Sequence, residues 1–370
     1  MDDLFQLNKG KLGFGLMRLP KDGSGKIDQK ETERMVDRFI EHGFTYFDTA
    51  YAYPGSEEIF KKTIGDRYDR DKYTLASKMS GWFLSEELTP EKMFNVQLER
   101  TGLEYFDFYL LHSMKEENLK IYDKYDAWSY CMKLKKEGKI KHFGFSFHDT
   151  PEFLDKVLTE HPETEFVQLQ INYLDWTNPK VQSEGIYEVA RKHNKPIIIM
   201  EPVKGGLLSN LSPKITEPFT SASPASYALR FAAGLDGVLA VLSGMSTMEQ
   251  LEENISTFSP LQKLSEEEME AVREVKKRVE ELQVIQCTSC RYCTPGCPKK
   301  IAIPDIFRLL NDEAVMNNKE KPRNEYSTMI SEGKSGRASD CIKCGKCEKE
   351  CPQHLPIREL LATAEDKLCN

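Results

Sequence analysis

Eight of the ten cysteines fall in two identical runs of the form C-x-x-C-x-x-C-x-x-x-C-P. The first run is Cys287, Cys290, Cys293, Cys297 and Pro298. The second, 54 residues on, is Cys341, Cys344, Cys347, Cys351 and Pro352. That many cysteines at such short, regular intervals point to metal chemistry rather than to a disulfide framework. A structural zinc site pairs two C-x-x-C hooks around one tetrahedral ion. Two runs of four with a trailing Cys-Pro do not fit that arrangement and match iron–sulfur ligation. Cys131 shares a helical face with Trp128 and Leu134 and reads as a small core residue, and Cys369 has no counterpart. A second group, Asp48, Lys78 and His112 with Tyr53 nearby, follows apolar runs near the front of the chain. Its meaning depends on the elements that carry it.

Those elements alternate. Candidate strands are 13–17, 45–48, 74–78, 107–112, 142–146, 166–171, 196–200 and 238–243. Candidate helices lie near 30–42, 90–101, 120–137, 151–160, 182–193, 222–233 and 247–257. Runs such as Ile197-Ile198-Ile199-Met200 are apolar throughout, as strands covered on both faces are. Eight strands alternating with helices in about 250 residues predict a (β/α)8 TIM barrel. A doubly wound open sheet is the alternative, but no G-x-G-x-x-G follows the first strand. A barrel gathers the C-terminal ends of its strands on one face. Asp48, Lys78 and His112 are three such ends, and Tyr53 lies on the loop after Asp48.

Behind the barrel, residues 264–283 read as a linker helix. Ser265 and Glu268 form a capping box, and Leu264 and Met269 a hydrophobic staple. The expected organisation is therefore α/β: a barrel over 1–263, the linker helix 264–283, and a small α-helical, ferredoxin-like 4Fe–4S domain over 284–370. The repeat inside that last domain continues past the cysteines, since Ile301, Ile303 and Ile306 map onto Leu355, Ile357 and Leu360. Between its halves the sequence predicts a short helix near 304–315 and a flexible polar surface loop over 317–337.

Composition limits the partners. The chain has 370 residues, 39% hydrophobic and 30% charged, with a net charge of -8. An acidic surface argues against nucleic acid or an anionic membrane as the main partner. No apolar run reaches the ~18 residues a membrane helix needs. The first eleven residues are polar, with no apolar segment of a secretory leader, so the expected location is cytoplasmic.

The cysteine spacing resembles that of bacterial two-cluster ferredoxins, in which the fourth cysteine of each run ligates the other cluster. That resemblance implies one 4Fe–4S cluster on Cys287, Cys290, Cys293 and Cys351. It implies a second on Cys341, Cys344, Cys347 and Cys297. The first 260 or so residues resemble the aldo/keto reductase superfamily, and the whole chain its iron–sulfur-containing branch. The family's catalytic tetrad falls on Asp48, Tyr53, Lys78 and His112. In that mechanism hydride reaches a carbonyl carbon and Tyr53 protonates the oxygen. A free phenol with a pKa of ~10 is too weak an acid for that, so the Lys78 cation lowers it, Asp48 holds Lys78, and His112 orients the carbonyl.

The same resemblance places a nicotinamide carboxamide on Ser146 and Gln168. It places the pyrophosphate on the loop after the seventh strand with Gly205, Gly206 and Leu207, and the adenine end on Ser243, Gly244, Ser246, Gln250 and Asn254. The chain departs from the family pattern in four places. Phe147 stands where many members carry Asn, and Met200 where many carry a stacking Tyr. Gly244 and Gln250 stand where NADP-binding members place Lys and Arg. NAD against NADP is therefore open.

The implied function is an oxidoreductase using NAD(P)H on a small carbonyl or alcohol. The alternative is electron transfer, with the two clusters passing electrons from a donor such as ferredoxin to a flavin or substrate in the barrel. Nicotinamide moves two electrons at once and a cluster one, so a flavin would have to mediate between them.

Overall fold

The structure is a computed structural model and describes residues 10–282, 284–316 and 320–369. The reading of the first residues as free of a leader falls largely outside that range. In chain order the elements are β1 (Leu12–Gly15), α1 (Gln29–Glu41), β2 (Tyr46–Asp48), α2 (Ser56–Phe60), β3 (Thr74–Met79), α3 (Pro90–Thr101), β4 (Phe106–Met114), α4 (Glu116–Lys124) and α5 (Ala127–Lys136). There follow β5 (Ile140–Phe147), α6 (Pro151–Glu160), β6 (Phe166–Gln170), α7 (Ser183–Lys192), β7 (Ile197–Met200), α8 (Pro213–Thr216), α9 (Pro224–Ala233), β8 (Val238–Ser243) and α10 (Met248–Phe258). The chain ends with α11 (Glu266–Glu281), α12 (Ile303–Met316), α13 (Glu320–Ser331), α14 (Lys346–Lys349) and α15 (Ile357–Cys369).

The eight strands close into a parallel barrel in sequence order. Each helix between them makes the long crossover that parallel neighbours require. The starts of those helices are written in the sequence. Asp28 caps α1 by accepting from the Glu31 amide. Thr89 and Thr150 cap α3 and α6, each followed by a proline at the first helical position, where its missing N–H costs nothing. Among the strands, Tyr46, Phe108, Phe166, Ile198 and Leu242 pack on one another, with Met200 against them. Alternate positions along a strand share a face, so Asp48, Lys78, His112, Gln168 and Met200 continue that same face toward the strands' C-terminal ends.

Two local expectations are corrected, and one element is additional to them. The helix expected over 120–137 is two helices, α4 and α5, separated at Asp126, whose φ of 50° interrupts the right-handed run. Residues 56–65 form a short helix and a π-turn that the sequence pattern did not signal. The polar stretch read as a loop over 317–337 contains the helix α13. Its Pro322 sits in the first turn, where proline is tolerated. Its Tyr326 is buried, donates to Glu365 Oε2 (2.6 Å) and accepts from the Ala338 amide (2.8 Å). Residues 317–319 lie outside the described residues.

The chain divides into two compact units. One holds the residues up to Pro202 together with Leu229–Lys263; the other holds Val203–Ala228 together with everything from Leu264 onward. The loop after β7 thus belongs with the C-terminal unit. Within that unit Arg278 on α11 donates to the Lys214 carbonyl (3.0 Å) and to Glu217 (3.1 Å), and Ser221 Oγ donates to Glu268 (2.7 Å). The capping box of Ser265 and Glu268 is formed at the start of α11. The unit's core is built from Ile301, Ile303, Ile306, Phe307, Ile357 and Leu361, drawn from both halves of the repeat. Among the described residues no helix is long and apolar enough to cross a membrane.

Candidate active site and cluster sites

Parallel pairing sets the first site. Asp48 on β2 is level with Ala76 on β3, and Lys78 is level with Leu110 on β4, so Asp48, Lys78 and His112 step along adjacent strands. The Lys78 ammonium donates to Asp48 Oδ1 at 2.5 Å and to the Thr49 carbonyl at 2.8 Å. Both partners of the ion pair are buried. Burial pushes the Lys78 ammonium below the ordinary lysine range and the Asp48 carboxyl above the ordinary carboxylate range, and their mutual attraction opposes both shifts. The loop after β2 is folded tightly. The Tyr53 amide bonds to the Ala50 carbonyl (3.0 Å), and Thr49 and Ser56 share a hydroxyl hydrogen bond (2.7 Å). It carries the Tyr53 ring to 5.1 Å from Lys78 Nζ and edge-on to His112, centroids 5.7 Å apart. The four residues expected to act together are together.

His112 is buried. Desolvation, with the nearby Lys78 cation and His148 adding to it, holds its pKa well below the usual imidazole value, so the ring is neutral near pH 7. Its Nδ1 lies 3.0 Å from Ser80 Oγ. Trp82 packs against the same imidazole, ring centroids 5.0 Å apart. Behind the site Tyr122 accepts from the Gly81 amide (3.1 Å) and donates to the His112 carbonyl (2.7 Å), fixing two strand ends at once. Sequence reasoning missed Ser80 and Tyr122. It also missed a buried brace under Lys78, in which Gln97 donates to Glu57 (2.8 Å) and to the Lys78 carbonyl (3.1 Å), while Ser77 donates to Glu57 (2.9 Å). No motif marks these residues, although a Glu and a Gln on faces that pack inward are unusual enough to notice.

The residues expected to hold a nicotinamide dinucleotide fall in both units. In the first unit Ser146 Oγ accepts from the Ser113 amide (2.7 Å). Gln168 Nε2 lies 3.5 Å from Met200 Sδ, and its buried Oε1 has no hydrogen-bond partner. An orphaned amide oxygen on the strand face that also carries Asp48, Lys78 and His112 suits a carboxamide N–H donor. Asn254 Nδ2 donates to Ser243 Oγ (2.9 Å), Ser246 Oγ donates to the Arg18 carbonyl (2.6 Å), and Gln250 accepts from the Ser246 amide (2.8 Å). The Arg18 side chain lies over Gly244, so near that a β-carbon there would be 2.9 Å from Arg18 Cδ. A cation therefore borders the adenine-end segment even though positions 244 and 250 lack one. Gly205, Gly206 and Leu207 are in the second unit. Gly205 has φ 64°, and a β-carbon on it would stand 2.3 Å from the Thr288 carbonyl oxygen. Its neighbour Lys204 is fully buried, with Nζ 3.3 Å from Gln353 Oε1.

Two hollows in the second unit collect the cysteines. One, of ≈ 320 Å³ including space open to solvent, is lined by Cys287, Cys290, Cys293 and Cys351; the other, of ≈ 340 Å³, by Cys297, Cys341, Cys344 and Cys347. Each takes three cysteines from one run and the fourth from the other. Apart from the thiols the linings are mostly apolar: Ile303, Phe307 and Leu355 in the first, Ile301, Ile342 and Leu361 in the second. Among the described residues no three His, Cys, Asp or Glu side chains gather tightly enough to grip a single ion. Four thiols spaced around an apolar hollow suit a cube of iron and sulfide better than a mononuclear ion.

Residues 11–221 match the profile of the aldo/keto reductase family, and residues 286–355 match the 4Fe-4S dicluster domain. The chain belongs to the aldo/keto reductase family and carries a 4Fe–4S dicluster domain at its C-terminal end. Two aldo-keto reductases of Mycolicibacterium smegmatis are 29% and 27% identical over 129 and 164 residues, 33% and 43% of this chain. Those matches span 42% and 55% of the relatives' own length, about half. The aldo-keto reductase str7 of Strobilurus tenacellus is 28% identical over 252 residues, 62% of this chain and 69% of that protein. A crystal structure of an aldo-keto reductase from Klebsiella pneumoniae in complex with NADPH superposes with a TM-score of 0.57 at 20% identity. It covers 72% of this chain and 90% of its own, a likeness of fold.

Proposed function

We propose that the first unit is an oxidoreductase that reduces a small carbonyl, or oxidises the corresponding alcohol, with Tyr53 as the proton donor. The observation that carries this is the grouping of the Tyr53 ring, the buried Lys78 ammonium and the neutral His112 imidazole on adjoining strand ends. A cation beside the phenol favours its ionised form and so strengthens it as an acid. Asp48 keeps that cation in place and is itself held by it. With Ser80 at Nδ1, His112 can turn Nε2–H toward a carbonyl oxygen as a neutral donor. A bound nicotinamide would supply the hydride, and Gln168 Oε1 would accept from its carboxamide. Arg18 beside Gly244 supports the phosphorylated dinucleotide, in which a 2′-phosphate needs a cation.

The test is Tyr53→Phe assayed for NADPH-dependent reduction of a panel of aldehydes and ketones. Loss of a positioned general acid removes about 100-fold or more of the rate, with visible cluster absorbance unchanged. Turnover that survives intact takes Tyr53 out of the mechanism.

A second reading is supported by one observation. The loop that begins three residues beyond β7 packs its Gly205 backbone on Thr288, between two cysteines of the first hollow. In this reading Cys287, Cys290, Cys293 and Cys351 would hold one 4Fe–4S group, and Cys297, Cys341, Cys344 and Cys347 the other. These groups supply one-electron chemistry, and the protein exchanges electrons with a carrier rather than relying on hydride alone.

A further inference from the structure

The 54-residue repeat allows each cluster site to be compared with the other, position by position. In the first, Thr288 follows the leading cysteine. It is 2% exposed, and the Gly205 backbone covers it. Its counterpart in the second is Ile342, which is 58% exposed, one of the few large apolar side chains on the surface. Cys344 is exposed as well, where its counterpart Cys290 is partly covered. One site is closed at this position and the other is open.

Charge differs in the same sense. The segments that line the open site carry Lys299, Lys300, Lys343, Lys346 and Lys349, all exposed, of which Lys299 and Lys346 line the hollow itself and the others lie within two residues of its lining in sequence. The equivalent positions of the closed site are Gln353, His354, Ser289, Tyr292 and Pro295, none of which carries a fixed positive charge. Each hollow also has one arginine committed to a carboxylate, Arg291 to Asp305 (2.7 Å) and Arg358 to Glu348 (2.7 Å), so these do not account for the difference. Glu350 and Asp340 are interleaved with the lysines and leave the rim basic. The closed hollow has the single buried ammonium of Lys204, 3.3 Å from Gln353 Oε1, so offsetting a cluster's charge does not account for five exposed lysines at the open one. They gather at the open one, on a chain whose net charge is -8.

We propose that the face around Ile342, ringed by these five lysines, is the docking surface for an acidic one-electron carrier protein, and that the hollow of Cys297, Cys341, Cys344 and Cys347 is where electrons enter or leave. Ile342 supplies an apolar centre and the lysines a cationic rim, the anatomy of a transient, electrostatically steered interface. Each encounter would move one electron and no proton: on entry the carrier would be oxidised and a 4Fe–4S group held by Cys297, Cys341, Cys344 and Cys347 reduced by that one electron, and on exit the reverse. The inference rests on the reading of the hollows as redox-active cluster sites.

The experiment uses the anaerobically purified full chain and a reduced, strongly acidic bacterial ferredoxin as the probe. Cluster bleaching is followed by stopped-flow absorbance at several salt concentrations. Wild type should be reduced fastest at low salt and more slowly as salt screens the encounter. Lys343→Glu combined with Lys349→Glu, two exposed positions outside the hollow's lining, should slow reduction at least about tenfold at low salt. The gap should close at high salt, and the milder Lys343→Gln with Lys349→Gln should fall between. Iron and sulfide content, and bleaching by a small neutral photoreductant, should be unchanged in both variants. Equal ferredoxin rates in wild type and the charge-reversed protein, with full iron, overturn the proposal while leaving the cluster reading intact. Failure of the small reductant to bleach wild type overturns both. Lysine-dependent binding to anionic vesicles, with ferredoxin reduction unaffected by the same substitutions, overturns it in favour of a membrane surface.

Discussion

His112 shows how burial at one residue sets both a protonation state and a stability. Its pKa is well below 6.5, first because the ring is desolvated and then because Lys78 and His148 stand near it. As pH falls through 6.5 the unfolded chain takes up a proton at this position and the native state does not. The native state therefore loses stability progressively from pH 6.5 down to the folded pKa, and it has none of this to lose above 6.5. One such group gives a slope of up to about 1.4 kcal/mol per pH unit. Urea unfolding of the first unit can be followed by tryptophan fluorescence, since Trp82, Trp128 and Trp176 all lie there. Its midpoint should fall between pH 7 and pH 5, and His112→Gln, which cannot titrate, should flatten that portion of the curve. An equally steep curve in the variant assigns the acid sensitivity to other groups. Asp48, Tyr53, Lys78 and His112 were legible in the sequence because three of them close apolar runs and the fourth shares a loop with the first. Ser80, Glu57 and Gln97 were not, since they act through side-chain contacts that no spacing records. Arg18 is a further case: it meets Gly244 across the junction of the first and last strands, a neighbour relation that exists only once the barrel closes.

At the scale of elements, eight strands were readable because a parallel strand covered on both faces must be apolar throughout. Their order followed from the alternation with helices. What could not be read was where a helix breaks for a single left-handed residue, as at Asp126, or where a polar segment earns burial through one aromatic anchor, as α13 does through Tyr326. Gly144 illustrates a constraint of the same scale. It lies in β5 between Leu110 of β4 and Phe166 of β6. A β-carbon there would meet the Phe166 carbonyl oxygen at 2.3 Å and its ring at 3.0 Å. Backbone cannot give way as a flexible side chain can, so Gly144→Ala must push β5 and β6 apart within a closed ring. Overpacking of this kind costs about 1–3 kcal/mol, and the unfolding midpoint should fall accordingly. On the proposed placement of a dinucleotide beside Ser146, two residues further along the same strand, the KM for NADPH should rise as well. A variant as stable as wild type would show that β5 and β6 can separate without loss.

At the scale of the molecule, each of the two cysteine-lined hollows is a joint product of both halves of the repeat. Cys351 lines the hollow of Cys287, Cys290 and Cys293, although Cys344 and Cys347 are its near neighbours in sequence. Cys297 is exchanged the other way. The helices that follow the two runs, α12 and α15, start at equivalent positions and pack into one core, which holds both halves of the repeat around the two hollows. Crossed ligation has a consequence that ligation within each run does not. Cys290→Ala and Cys351→Ala, 61 positions apart by subtraction of their numbers, should deplete the same cluster. Cys344→Ala and Cys297→Ala should deplete the other. Each variant should keep about half the iron and sulfide of wild type, for the loss of one cluster of two. Electron paramagnetic resonance of the reduced protein distinguishes the pairs. The first two variants should retain one and the same signal, and the last two its complement. If Cys351→Ala instead removes the signal that Cys344→Ala removes, each run holds its own cluster, and the arrangement of thiols around the two hollows is not the one that binds iron.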